Sequence, residues 1–222
     1  DGAEKIVMVV DCENSDPYRL CAMLKGLQAK YLKKVQKIML FDDVHTVNAW
    51  RILEHYTAIP VEHMMTQRVK EDKSLVDIEM TAITCREHYR DQVESFIVVS
   101  SDSDYWGLIS SLPDARFLVM IEKEKCSPDM KAAMRNKGIF YCYLDAFYDG
   151  DNDSIKKKAL TCEINRLLEQ AVQINIQELL QQALVATRIP MKPAEKKQFL
   201  EKHISKIKLE IGEDGIVHIV FR

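Results

Sequence analysis

Aspartates follow two apolar segments of this chain, and clustered aspartates are the usual basis of metal-assisted phosphate chemistry. Residues 6–10 form an apolar run that stops at Asp11, and residues 96–99 form a second run followed closely by Asp102 and Asp104. Such runs are typical of strands in a parallel sheet, which binds ligands beyond the carboxyl ends of its strands. Carboxylates gathered there repel one another, and a divalent cation offsets that repulsion. The pattern predicts a Mg²⁺ or Mn²⁺ site suited to cleaving a phosphodiester bond.

Asp77 lies in a third acidic segment of the chain, at the predicted start of a helix. Val76 and Met80 have helical spacing, and Asp72 or Ser74 is of a type that caps helices. A carboxylate in the first turn of a helix can simply complement the helix dipole. Beside two acidic strand ends, however, we expect Asp77 to face the same site.

The three segments together resemble the NYN domain family of PIN-like, metal-dependent ribonucleases. The motifs are Asp-x-x-Asn at residues 11–14, Lys-x-x-x-Asp at 73–77 and Ser-x-Asp-x-Asp-Tyr at 100–105. Their order, spacing and strand context match the family over roughly residues 5–147. Each motif alone is a weak signal, and the three in order are a stronger one.

The resemblance implies a role for each motif residue. The acids that would bind Mg²⁺ or Mn²⁺ and act in catalysis are Asp11, Asp77, Asp102 and Asp104. Asn14 would shape the same pocket, and Lys73 would pair with a substrate phosphate. Ser101, where family members often have glycine, is a further candidate substrate contact. Arg68 and Lys70 are candidates for a different reason, because they form a local basic patch with Lys73. The implied reaction is hydrolysis of RNA by water that the metal activates, leaving a 5′-phosphate.

Helix capping offers a simpler account of each acid taken singly. Asp11 could cap the helix that follows it, and Asp102 or Asp104 could cap the next helix after the later strand. Capping accounts for one acid per helix, and it does not account for acids at three helix or strand ends. Asp42 and Asp43, which follow a further strand, are weaker candidates for the same sheet edge.

Composition limits the classes of protein that this chain can represent. Its 222 residues are 47% hydrophobic, which suffices for a sizeable core, and the net charge of −3 gives no overall attraction for nucleic acid. Six cysteines without C-x-x-C spacing predict buried thiols in a reducing cytoplasm rather than disulfides or a zinc site. We expect no membrane partner, because no apolar segment reaches the roughly 18 residues of a membrane helix. Substrate contacts must come from local basic groups, such as Lys25, Lys30, Lys33, Lys34, Lys37, Lys123, Lys125, Lys131, Arg135 and Lys137.

Strands and helices alternate over the first two thirds of the chain, which predicts an α/β fold with a parallel sheet covered on both faces. Strands are predicted at residues 5–10, 37–41, 60–64, 95–100, 116–121 and 139–143. Helices are predicted at residues 17–32, 46–55, 74–89, 104–111 and 127–136. A three-layer PIN-like sandwich is also the architecture that the NYN resemblance implies.

The sequence becomes polar and rich in turn residues at 148–154, which predicts a linker between a domain at 1–147 and a smaller one at 155–222. The second domain has predicted helices and a terminal hairpin at residues 155–173, 176–187, 193–204 and 207–221. This order of elements resembles a winged helix and, more loosely, the LOTUS type of RNA-binding module. A packing appendage, or a surface for a homodimer or protein partner, fits the same order equally well.

Three function classes remain open from the sequence. The leading one is a metal-dependent endoribonuclease that acts on single-stranded or structured RNA, with the C-terminal module helping to choose the RNA. The second is a catalytically weak or inactive NYN-type RNA-binding or regulatory protein, although keeping four acids in one crevice is costly without a cation. The third is a phosphatase with an aspartyl intermediate, which usually has Asp-x-Asp directly after its first strand. Here that pair follows a later strand.

Overall fold

The computed structural model describes residues 5–43, 47–66, 75–147, 152–171, 175–204, 207–213 and 215–221. This part of the chain has an α/β fold and divides into two compact units, residues 1–161 and 162–222. The acidic motifs all belong to the first unit. No helix within the described ranges is both long enough and apolar enough to span a membrane.

The first unit is built on a six-stranded sheet. Its strands are β1 (Ile6–Asp11), β2 (Val35–Asp42), β3 (Val61–Met65), β4 (Ser95–Val99), β5 (Arg116–Ile121) and β6 (Phe140–Tyr143). Every neighbouring pair is parallel, in the order β3-β2-β1-β4-β5-β6. The predicted parallel sheet is therefore confirmed. The order reverses between β1 and β4, so the crevice at which such sheets bind ligands lies beyond the ends of these two strands.

Helices pack on both faces of the sheet. They are α1 (Pro17–Gly26), α2 (Ala29–Leu32), α3 (Val47–Trp50), α4 (Val76–Asp91), α5 (Trp106–Ser111), α6 (Pro128–Asn136) and α7 (Asn152–Ala171). Successive residues of a strand face opposite sides. Val9 therefore joins a core with Met80 of α4, whereas Val10 joins a second core with Leu20 of α1. Two 3₁₀ segments, Arg51–His55 and Leu144–Phe147, complete the layers.

The predicted continuous helix at 17–32 is wrong, because α1 ends at Gly26 and α2 starts at Ala29. Leu27 between them has extended backbone, with φ −75° and ψ 139°. Glycine is a poor helix former, and the side chain of Leu27 packs against the second core. The middle helix begins at Val76, and the predicted caps Asp72 and Ser74 lie outside the described residues.

Helix α7 runs through the position at which the two units divide. Ile155, in its first half, is buried in the core beside α1, and the residues from Cys162 onward belong to the second unit. Of the predicted linker, residues 148–151 lie outside the described part of the chain, and residues 152–154 form the first turn of α7.

The second unit contains helices followed by a hairpin, in the order that the sequence predicts. After α7 come α8 (Ile176–Thr187), α9 (Pro193–Phe199) and a π-helical turn at Leu200–Ile204. Strands β7 (Ile207–Ile211) and β8 (Val217–Phe221) then pair antiparallel.

Candidate active site

Asp11 ends β1, and its side chain is buried with an exposed fraction of 1%. Its Oδ2 accepts a hydrogen bond from Ser100 Oγ at 2.7 Å and another from Asn14 Nδ2 at 3.0 Å. Its Oδ1 accepts the backbone N–H of Asn14 at 3.2 Å. Helix α1 is capped by Asp16, which accepts two backbone N–H groups of the first turn. The capping account of Asp11 is therefore wrong, and its bonds fix the carboxylate beside Asn14 and Ser100.

Asp102 and Asp104 lie in the loop that follows β4. Asp102 Oδ1 accepts the backbone N–H of Asp104 at 3.2 Å, which is a local turn bond. Helix α5 starts two residues after Asp104, and its cap residue Tyr105 makes no side-chain capping bond. Ser100 joins this loop to β1, because its hydroxyl donates to Asp11 and accepts the backbone N–H of Asp102 at 3.2 Å.

Asp77, in the first turn of α4, shows that the separated acids converge. Its pKa is raised from the ordinary 3.8 to about 6, first by burial and then by the negative charges of neighbouring carboxylates. In order of effect, those neighbours are Asp11, Asp104, Asp102 and Glu13. The pKa of Asp11 is raised by burial and by Asp102, although hydrogen bonds from Ser100 and Asn14 oppose that rise. The four predicted acids therefore lie within electrostatic reach of one another.

The donor chemistry of this cluster suits a hard divalent cation. Within the described ranges, no group of three or more acidic, histidine or cysteine side chains is already arranged to hold a metal ion. Mg²⁺ does not need such a cage, because it keeps several of its waters and is usually bound through one or two carboxylates. A hydrated ion near Asp11 and Asp77 would also offset the repulsion that adds to the effect of burial on their pKa values.

No family model matches the chain. No curated protein is similar enough to count as a match. Among solved structures, a Vibrio parahaemolyticus protein of unknown function has 15% identity and a TM-score of 0.45, covering 65% of this chain and 94% of that one. The catalytic subunit of M. jannaschii aspartate transcarbamoylase has 15% identity and a TM-score of 0.23, covering 63% of this chain and 55% of that one. Both likenesses are too distant to bear on function, which is argued below from the site alone.

A polar groove of about 250 Å³ adjoins the acid cluster. Its lining consists of Asn14, Ser101, Asp102, Ser103, Lys125 and Ser127. Ser101, a predicted substrate contact, is buried, and its Oγ accepts the backbone N–H of Glu122 at 2.8 Å. That bond ties the loop after β4 to the end of β5. Lys125 also lines the groove. The sequence indicated it only as one of many basic groups.

The other predicted residues near the site are three basic groups and two further aspartates. Lys73, Arg68 and Lys70 lie outside the described residues. Asp42 and Asp43 are buried at the end of β2, and the charge of Asp42 acts on the thiol of Cys12.

Ser100 is the residue that the sequence prediction missed. Strand alternation could have indicated it, because Ser100 follows Val98 of β4 by two residues and so shares the face of Val98 and of Asp11 on the adjacent strand.

The six cysteines form no disulfide, and three of them, Cys12, Cys21 and Cys126, are buried. Burial and the neighbouring carboxylates raise the pKa of the Cys12 thiol, while burial raises that of Cys21 to about 12. These thiols stay protonated at neutral pH. A cysteine nucleophile beside Asp11 is therefore disfavoured, because the thiolate is the reactive form.

Proposed function

We propose that this chain is a metal-dependent endoribonuclease of the NYN type, with Asp11, Asp77, Asp102 and Asp104 as its catalytic acids. The observation that carries the proposal is the convergence of acids from separate segments. Ser100 bonds both to Asp11 and to the backbone of Asp102, and the pKa of Asp77 is raised by burial and then by the charges of Asp11, Asp104 and Asp102. A divalent cation would offset the repulsion among acids at this ligand-binding edge of the sheet, and metal-bound carboxylates are suited to phosphodiester cleavage.

Each residue would have a distinct role in the proposed site. Asp11, held by Ser100 and Asn14, would be the fixed carboxylate ligand, and Asp77 and Asp102 would complete the site directly or through water. Bound Mg²⁺ or Mn²⁺ would offset charge on the phosphate oxygens and make water a better nucleophile. Lys73 would pair with a substrate phosphate.

For the second unit, we propose a winged-helix-like module that helps to select RNA. The support is the order of its elements, in which helices α8 and α9 precede the antiparallel hairpin of β7 and β8. Its removal should then change which RNAs are bound while leaving the acid cluster intact.

The second candidate is a NYN-like protein that binds RNA without cutting it. This candidate is compatible with the raised pKa of Asp77, because a carboxyl that is easily protonated can persist in the cluster without a cation. Both candidates predict RNA binding, and only the first predicts cleavage that requires a divalent cation.

A circular single-stranded RNA separates these candidates, since only an endonuclease can open it. The protein would be incubated with this RNA and Mg²⁺, Mn²⁺ or excess chelator. Asp102→Asn would be run beside Asp114→Asn, which removes the same charge from an exposed turn at the opposite end of the sheet. Metal-dependent opening by the wild type and by Asp114→Asn, and none by Asp102→Asn, is the expected result. Binding without opening in every metal would support the second candidate.

A further inference from the structure

We propose that the groove beside the acid cluster binds one backbone phosphate of the RNA through Lys125. This inference rests on the proposed nuclease function, and it assigns a substrate contact to a residue outside the three acidic motifs. The lining contains one carboxylate and one ammonium group, with amide and hydroxyl groups between them. Its volume of about 250 Å³ equals roughly eight water molecules at about 30 Å³ each. A phosphate with part of its ribose fits such a space.

Two lining hydroxyls each keep a proton that they can donate to an anion. Ser101 Oγ accepts the backbone N–H of Glu122, and Ser127 Oγ accepts the backbone N–H of Met130 at 3.2 Å. A hydroxyl that accepts in this way still has its own proton to donate. The Lys125 ammonium adds a full positive charge, so one side of the groove carries three donors that suit phosphate oxygens.

Lys125 can turn toward a phosphate at low cost. Its Nζ lies 3.0 Å from Glu122 Oε1, and Glu122 is buried with an exposed fraction of 3%. The other oxygen of that carboxylate, Oε2, lies 2.8 Å from Arg19 Nη1. Arg19 would therefore continue to neutralise Glu122 if Lys125 moved. Lys125 itself is half exposed, which leaves its ammonium accessible to a ligand in the groove.

The groove also shares residues with the acid cluster. Asp102 and Asn14 line it, and the same two residues contact or influence Asp11. A phosphate seated on Lys125 would lie on the same RNA strand as the phosphate that faces the acids. Lys125 would thus fix the register of the strand in the site, whereas the acids act on the bond that breaks.

The test compares Lys125→Gln with the wild type and with Lys5→Gln, which removes the same charge from an exposed position just before β1, at the opposite end of the sheet. Cleavage of a short single-stranded RNA in Mg²⁺ should show a KM about tenfold higher for Lys125→Gln, because a charge-assisted hydrogen bond is lost. Its kcat and Mn²⁺ affinity should stay close to the wild type. Binding of the same RNA to Asp104→Asn protein should lose about 0.7 of its logarithmic salt slope when Lys125→Gln is added.

A set of RNAs that each carry one uncharged methylphosphonate identifies the phosphate. Lys125→Gln should raise KM for every RNA in the set except the one whose neutral position is the phosphate that Lys125 contacts. For that RNA the contact is already lost, so the substitution has no further effect. Equal KM, binding and salt slope for Lys125→Gln and Lys5→Gln would overturn the inference. If the wild type cuts no RNA, the nuclease proposal fails, and the binding and salt comparison still decides the role of Lys125.

Discussion

Replacing Asp77 with asparagine should stabilise the protein at neutral pH, because burial and neighbouring negative charges disfavour its ionised carboxylate. The pKa of Asp77 rises from 3.8 to about 6, so the folded state disfavours the charged form. A rise of roughly two units corresponds to about 3 kcal/mol at about 1.36 kcal/mol per unit. Asp77 is only half-buried, and solvent screening reduces that figure to about 1–2 kcal/mol.

The pH dependence follows from the sign of this shift. Below pH 3.8 the carboxyl is protonated in both the folded and the unfolded state, so Asp77 carries no penalty there. As the pH rises through about 6, the folded protein must give up a proton that it holds more tightly than the unfolded chain does, and stability is lost. The advantage of Asp77→Asn should therefore be full above pH 7 and should disappear toward pH 4.

Urea unfolding at several pH values measures this difference, with Asp114→Asn as the control for loss of one exposed charge. The thermal midpoint of Asp77→Asn at pH 7.5 should be about 2–8 °C above the wild type. Saturating Mg²⁺ should raise the midpoint of the wild type and shrink the gap, because the cation offsets the same repulsion. Asp77→Asn that is no more stable than the wild type at pH 7.5 would refute the claim that burial and neighbouring acids disfavour the charged form of this residue.

Three further substitutions test the supports of the site. Arg19→Met should lower the free energy of unfolding by about 1–2 kcal/mol in urea, because buried Glu122 loses its bond from the Arg19 guanidinium and keeps only Lys125, and a change below about 0.5 kcal/mol would contradict that account. Ile155→Ala should cost about 2–4 kcal/mol, whereas exposed Leu160→Ala costs under about 0.5 kcal/mol, and equal effects would show that α7 does not complete the second core. Ser100→Ala should weaken Mn²⁺ binding about tenfold, and unchanged affinity would remove Ser100 as a support of Asp11.

The parallel sheet could be predicted from the sequence because its strands are apolar runs that end in polar residues. The break between α1 and α2 could not, since the apolar spacing continues across Gly26 while Leu27 turns to pack on the core. Likewise, residues 152–154 look like a linker in composition, and yet they open α7, whose Ile155 is buried in the core of the first unit. In both segments, the burial of one side chain in the core determines the local structure, and burial cannot be read from the local sequence.

The convergence of the four acids was predictable because each follows a strand or opens a helix in a recognisable motif. Their environment was not predictable. Arg19, Glu122 and Asp145 form one charge network although 103 and 126 positions separate Arg19 from its two partners. Lys125 joins that network through Glu122, three positions earlier, and the burial of Glu122 is not visible in the sequence.

The central claim is that acids from separate segments form one cation site, and a Mn²⁺ titration of the protein without RNA tests it most directly. Wild-type protein and Asp114→Asn should bind one or two Mn²⁺ ions saturably, with proton release near pH 6 as Asp77 ionises. Asp102→Asn should bind at least about tenfold more weakly, since it lacks one of the carboxylates that attract the ion. Equal Mn²⁺ binding by Asp102→Asn and the wild type, or none by either protein, would contradict the account.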